Sequence, residues 1–219
     1  MLLSLNKNDL FKYTTNQVNK FFFDGANVTE NDFDNYINDT IDRLFICFKE
    51  IEKPYYYMDD KITFNHLHSD HYAMFLYLLS NTIWQIDKNE ILASKIFLLN
   101  KALHGIDAFY AITLPEIFLF VHPLGTVLGN ASYSNYLVVY QNCSVGATEE
   151  LVYPTFEGET ILFSKSTVIG DCNIGSNTIL GANSFIINTN VEKNIIVVNN
   201  YPNNRFLLNE KSVIDRMFK

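Results

Sequence analysis

The chain has 219 residues, 48% of them hydrophobic, with 16 basic against 24 acidic side chains and a net charge of −8. This hydrophobic content excludes a disordered chain, and the length supports one sizeable core or two small ones. The negative balance excludes a broad basic field for a nucleic-acid backbone or an anionic membrane.

The N-terminus, MLLSLNKNDLFKY, has no basic segment ahead of a long apolar one, and no apolar run is long enough to span a bilayer, so a soluble, unprocessed chain is expected. The three cysteines, Cys47, Cys143 and Cys172, are odd in number and lack metal-ligand spacing, which predicts a reducing, cytoplasmic setting. Frequent Asn, Lys, Ile, Phe and Tyr are read as genome composition and carry no functional weight.

Up to residue 105, apolar residues recur at helical spacing. Phe33, Tyr36, Ile37, Ile41, Leu44, Phe45 and Phe48 predict one helix of about five turns capped by Thr29. A second helix is expected from Ser69 or Asp70 through Ile83. A third runs through Ile91, Ser94, Lys95, Leu98 and Leu103 until Gly105 stops it. Residues 1–105 are therefore read as an α-helical domain.

Just before the second helix lies 66-HLHSDH-71, a cluster that invites a metal site. Metal motifs of this density need a loop and further ligands downstream, whereas this one runs straight into a helix; no metal is assigned. Ser69 or Asp70 has an ordinary task there, capping the helix start. Asp70 and His71 remain candidates for reaching an acceptor pocket from the helical domain.

After Asp107 the pattern changes. Leu162, Val168, Ile174, Leu180 and Ile186 follow one another in steps of six, with small residues Ser166, Cys172, Thr178 and Ser184 four places after each aliphatic. Val121, Val127, Tyr133, Val139 and Val145 keep the same step upstream. A period of six predicts a β-helix of hexapeptide repeats, a three-sided prism with aliphatic residues pointing inward; a β-sandwich would alternate with period two. The segment at about 147–159, ATEELVYPTFEGE, breaks the period and should leave the prism as a loop. The prism is assigned to 106–202, and 203–219 to a C-terminal tail with a short helix, giving an α+β chain.

A helical domain feeding such a prism resembles the serine acetyltransferases, members of the left-handed β-helix acyltransferases. The likeness is sharpest at 122-HPLGTVLG-129, similar to the family segment that holds the catalytic histidine, with Asp107 fifteen residues earlier at the family's spacing. The stretch 141-QNCSVG-146 is similar to the family's Gln-Ser-Val-Thr-Leu-Gly. The resemblance implies His122 as general base, Asp107 holding its imidazole, and acetyl-coenzyme A lying along the prism at Ser164 and Ala182, beside Gly181 and Asn183. It also implies a homotrimer with sites between subunits, and allows a dimer of trimers. Lys165, Lys193 and Arg205 are candidates for the coenzyme phosphates.

One departure bears on the acceptor. The family's loop carries Arg-His-Pro, which helps hold the amino acid, where this chain has Val152-Tyr153-Pro154. Without that arginine a carboxylate loses its two-pronged partner. Tyr153, Asn130, Asn135 and Tyr136 offer neutral hydrogen bonding instead, which suits a hydroxyl or amine on a sugar, with a sugar hydroxyl in bacterial capsule or lipopolysaccharide synthesis as the leading expectation. The alternatives are L-serine O-acetylation for cysteine synthesis and a non-catalytic β-helix subunit of an assembly.

Overall fold

The computed structural model describes residues 1–198 and 201–219; residues 199 and 200, inside the range assigned to the prism, lie outside the described residues. The N-terminal part holds strand β1 (Leu2–Leu3), helices α1 (Lys7–Phe21) and α2 (Ile37–Lys49), strands β2 (Tyr57–Met58) and β3 (Lys61–Phe64), and helices α3 (Ser69–Asp87) and α4 (Glu90–His104). β1, β3 and β2 form a small sheet that hydrophobic periodicity did not anticipate, because two- to four-residue strands carry no measurable period. The helix expected from Thr29 is divided. Thr29 starts a 3₁₀ turn, Glu30–Phe33, where its N–H and hydroxyl both donate to Asp32 at 2.7 and 2.9 Å, and α2 begins afresh at Ile37.

α3 follows the expected span, and almost its whole length is buried between α2 and α4. α4 ends as expected, with Gly105 at φ +64°. Its buried face, however, is Leu92, Lys95, Ile96 and Leu99, while Ile91 and Leu98 are exposed. Two apolar stripes compete on this helix and share Lys95, whose ammonium donates to Asp24 at 2.9 Å and to the Ala26 carbonyl at 2.6 Å.

The prism follows as β4 (Asp107–Ala108), β5 (Phe118–Phe120), β6 (Val127–Leu128), β7 (Leu137–Val139), β8 (Ser144–Gly146), β9 (Thr155–Phe156), β10 (Thr160–Leu162), β11 (Thr167–Ile169), β12 (Asn173–Ile174), β13 (Thr178–Leu180), β14 (Phe185–Ile187) and β15 (Ile195–Val198). Strand β16 (Arg205–Leu208) and helix α5 (Val213–Met217) close the chain. Parallel pairing sorts the prism strands into three faces. The first is β5-β7-β10-β13-β15, ended by antiparallel β16; the second is β4-β6-β8-β11-β14; the third is β9-β12, extended by bridges from Ser132 to Thr155 and from Ile174 to Val191. The departing loop is shorter than its broken period suggests, because Thr155–Phe156 is already back in the third face.

The inward columns are Phe120, Val139, Leu162, Leu180 and Val197; Leu128, Val145, Val168 and Ile186; and Phe156, Ile174 and Val191, stacked by register. Every one of these is buried. The upstream grid needs one correction. Leu128 is buried at 1% while Val127 points out at 46%, and Phe120 takes the inward place expected of Val121. Eight residues separate Phe120 from Leu128, because Val121 and His122 are inserted at that corner, and the next step, to Tyr133, is only five.

Corners turn through a left-handed residue three places before the next inward aliphatic. One edge uses Gly125, Asn142, Lys165 and Asn183, and another uses Tyr136, Glu159, Asn177 and Asn194. Asn tolerates this conformation better than most residues, since its short amide bonds locally. Part of the asparagine excess is therefore architectural. The small residue after the left-handed one is buried, as expected of Ser166, Thr178 and Ser184, and its hydroxyl or thiol satisfies corner carbonyls, as when Thr178 donates to Gly175 at 2.6 Å.

The first face is covered. α3 and the buried Cys47 thiol lie against β5, and the segment after β16 runs back along the face, with Asn209 and Val213 bonded to Asn177. It ends on the helical domain. Phe218 bridges to Ile51, the Lys219 N–H donates to the Glu50 carbonyl at 2.9 Å, and Glu52 N–H donates to Met217 at 3.2 Å. The second face is met by Tyr201, edge-on against Phe185 at 5.0 Å, and by the loop at Gly129, and between them it presents Val127, Ser144, Gly146, Thr167, Ile169 and Ile187.

The register correction is testable by urea unfolding. Leu128→Ala should cost about 2–5 kcal/mol, and Val127→Ala should stay within about 0.5 kcal/mol; the reverse order would restore the unbroken six-residue grid.

Candidate functional site

The edge between the first and second faces carries the residues that matter. Its coils are hydrogen-bonded one above another: Asn142 N–H donates to Leu124 at 2.9 Å, Lys165 N–H to Gln141 at 3.0 Å, and Asn183 N–H to Ser164 at 3.0 Å. This ladder places Leu124, Gln141, Ser164 and Ala182 in one column, flanked by Pro123, Tyr140, Phe163 and Gly181. Ser164, Lys165, Gly181, Ala182 and Asn183 thus share one edge with His122, as the coenzyme assignment requires. Gly181 is held tight there, because a Cβ would meet the Val197 carbonyl at 2.8 Å. Arg205 lies opposite Val198, at the end of β15 nearest this edge. Lys193 follows Val191 of the third face and leads into the other corner, through Asn194.

His122 stands out of the ladder because of the two-residue insertion. Its backbone is left-handed at φ +48°, a conformation costing a non-glycine residue on the order of 1–2 kcal/mol. Its side chain is 74% exposed. The turn is braced by Leu124 N–H to the His122 carbonyl at 2.8 Å, Thr126 N–H to Pro123 at 3.1 Å, and Gly125 N–H to Gly105 at 2.9 Å, the last tying it to the end of α4. An exposed, braced imidazole can accept a proton from an incoming nucleophile.

The carboxylate beside His122 is that of Asp70. Its Oδ1 accepts the His122 backbone N–H at 3.1 Å and lies 3.7 Å from Nδ1. Asp70 is 1% exposed, and it makes no capping bond at the start of α3, so the capping role expected for it is replaced by this contact. Asp107, the carboxylate the resemblance places with His122, accepts from the Lys101 ammonium at 2.5 Å. One turn of α4 places Lys101 over that carboxylate.

Behind Asp70 the other histidines of the cluster are packed as aromatic rings. His68 and His71 stack at 4.2 Å, Tyr55 stacks on His68 at 5.0 Å, and Tyr56 and Phe48 close on His71 at 4.3 and 4.9 Å. His71 Nδ1 accepts the Asn65 N–H at 3.1 Å, while His71 Nε2 and His68 Nδ1 are buried without partners. Burial, reinforced by His68, pushes His71 down to about 3; burial also lowers His68 and raises the Tyr55 phenol, with Asp70 and Tyr140 acting in the same direction on Tyr55. Among the described residues no group of three His, Cys, Asp or Glu is disposed to hold a metal ion. Periodicity treats this cluster as a helix start and gives no role to His68, Tyr55 or Tyr140. The density of aromatic residues in 54-PYYYM-58 and 66-HLHSDH-71 was the one available signal.

The remaining acceptor candidates separate. Asn130 and Tyr153 line a cavity of about 480 Å³ on the second face, together with Asp107, Phe109, Val127 and Gly129. Tyr153 reaches it because the loop folds back over Gly129, where a Cβ would meet its ring at 2.9 Å. Asn135 and Tyr136 sit at the opposite edge in structural roles: Asn135 Oδ1 accepts the Ile117 N–H at 3.0 Å, and Tyr136 packs edge-on against Phe218 at 5.2 Å. They do not meet His122.

No protein-family model matches the chain, and no curated protein matches it in sequence. Solved structures do match in fold. A soybean serine acetyltransferase apoenzyme superposes with a TM-score of 0.71 at 16% identity, over 93% of this chain and 84% of the other. The serine acetyltransferase of Vibrio cholerae O1 gives 0.70 at 15% identity over 94% and 82%. That of Brucella abortus gives 0.70 at 14% identity over 92% and 83%. The chain therefore has the fold of these enzymes, a helical domain followed by a left-handed hexapeptide prism.

The buried imidazoles make stability depend on pH. His104 is also held neutral by burial, at about 4. Below an unfolded value of about 6.5 the unfolded chain binds these protons and the folded chain refuses them. Stability should then be level above that pH and fall as pH drops toward the folded values, by up to ~1.4 kcal/mol per pH unit per proton. Urea midpoints followed from about pH 7.5 to about 4.5 should show this slope, and the double variant His71→Asn/His104→Asn should flatten it; a level wild-type profile would contradict the burial.

Proposed function

We propose that the chain is an acetyl-coenzyme A-dependent O-acetyltransferase with His122 as general base, acting on a neutral sugar hydroxyl of the kind found in bacterial surface polysaccharide. The observation that carries this reading is the inserted corner. It lifts one imidazole out of a hydrogen-bonded ladder whose next coils hold Ser164, Gly181, Ala182 and Asn183, the positions the sequence resemblance implies for the coenzyme.

In this mechanism the thioester lies along that edge, with Lys165 and Arg205 near enough to its line to meet phosphates. The acceptor hydroxyl donates its proton to His122 as its oxygen attacks the thioester carbonyl, because a neutral alcohol is a poor nucleophile. Backbone N–H groups of the neighbouring coil would take the oxyanion. Collapse breaks the carbon–sulfur bond, and the imidazolium returns its proton to the departing thiolate. The cavity of Asp107, Asn130 and Tyr153 falls within the usual size of ligand pockets, ~300–1,000 Å³, and offers the acceptor neutral donors with one carboxylate.

Packing of the second face against copies of itself would bury Val127, Ile169 and Ile187 and bring that cavity to a subunit boundary, the arrangement a trimer with sites between subunits needs. A second reading, L-serine O-acetylation, is favoured by the identity of the fold relatives. Against it stands the loop, where Val152 and Tyr153 replace the cationic partner a carboxylate needs.

Incubation with acetyl-coenzyme A and candidate acceptors, read by mass spectrometry, should give a product heavier by one acetyl group on a saccharide. Thiol release that depends on L-serine would decide for the second reading, and no turnover with any acceptor would decide for a non-catalytic subunit. His122→Ala should lower the transfer rate by roughly 10²–10⁴-fold without loss of fold; retention of most of the rate would remove His122 from the mechanism.

A further inference from the structure

We infer that Asp70, carried by the helical domain, is the carboxylate that orients the His122 imidazole, so that the catalytic unit is divided between the two parts of the chain. The inference rests on the reading of His122 as the base.

Three observations converge. First, Asp70 Oδ1 reaches both the backbone N–H of His122, at 3.1 Å, and its Nδ1, at 3.7 Å. One carboxylate thus holds the strained peptide and faces the ring it carries. The longer distance is a charge contact that closes to a hydrogen bond with a few tenths of an ångström of ring movement, as catalytic contacts in unliganded sites do. Second, Asp70 is 1% exposed in its side chain, while His122 is 74% exposed. A carboxylate so withdrawn from water needs donors, and those present are the His122 N–H at 3.1 Å and the Ser69 hydroxyl at 3.2 Å. Burial disfavours the cationic form of both rings packed behind it, His68 and His71, whereas the exposed imidazole of His122 faces the carboxylate at 3.7 Å. Third, the competing carboxylate is engaged: Asp107 accepts from Lys101.

Chemically, an anion at Nδ1 holds the proton there and leaves the Nε2 lone pair free to act, then stabilises the cation that forms when Nε2 takes the acceptor's proton. Asp70 is therefore a positioning residue, acting through His122.

The test is read in two ways. Nitrogen-15 spectra of the free protein, at alkaline pH where imidazoles are neutral, should show His122 with its proton on Nδ1. In Asp70→Asn, which keeps the volume and an acceptor for the His122 N–H, the ring should shift toward the Nε2–H form; in Asp107→Asn it should not. Kinetically, Asp70→Asn should lower kcat by about a hundredfold or more with the acceptor KM within about threefold. Asp70→Glu, which keeps the charge, should restore part of the rate and of the Nδ1–H form, and it stands in should the Asn variant lose its fold. An unchanged tautomer in Asp70→Asn, a shift in Asp107→Asn instead, or a loss confined to KM would overturn the inference. Because the spectra need no substrate, they decide the pairing even if acetyl transfer itself fails.

Discussion

The prism depends on one constraint, the sharp turn that each coil makes into the next face. The chain must reverse its curvature through a single residue with positive φ and then bury a small side chain before the next aliphatic enters the interior. Gly125, Asn142, Lys165 and Asn183 satisfy this on one edge, and the ladder of N–H bonds between coils follows from their alignment. The catalytic candidate sits where the constraint is relaxed. Two extra residues at Val121–His122 cost a strained peptide and in return expose an imidazole that a regular corner would leave no room to present.

Much of the fold was legible because its columns are chemically uniform. From Leu162 to Ile186 each inward place is aliphatic and each place four residues later is small, so the period of six could be read without structure. Upstream the reading slipped, because Phe120 to Leu128 spans eight residues and Leu128 to Tyr133 spans five, errors that nearly cancel over two six-residue steps and so hide in a regular count. Both Val127 and Leu128 are aliphatic, and only burial separates them. The competing faces of α4 were ambiguous for the same reason, since both contain Lys95 and burial alone separates Leu92, Ile96 and Leu99 from Ile91 and Leu98.

The candidate site was legible in part. His122 is recognisable from its local motif, since the residues around it in sequence also surround it in space. Its neighbour Asp70 is 52 residues away and arrives through the packing of α3 on β5. No local pattern marks such a contact. The fifteen-residue spacing of Asp107 points to a carboxylate of the prism, and Lys101, six residues before it, donates to that group. Long-range delivery of a side chain is invisible to spacing.

The returning C-terminal segment changes how the whole molecule should come apart. A solenoid whose repeats touch only their neighbours can fray coil by coil from its free end. Here the last residues cross back over the first face and finish on Ile51 and Glu50, so the terminal coil and the helical domain are joined at both ends of the prism. Loosening the final turn breaks contacts near the first helices as well. The chain is closed into a loop of mutual dependence, and its two architecturally distinct halves become one cooperative unit.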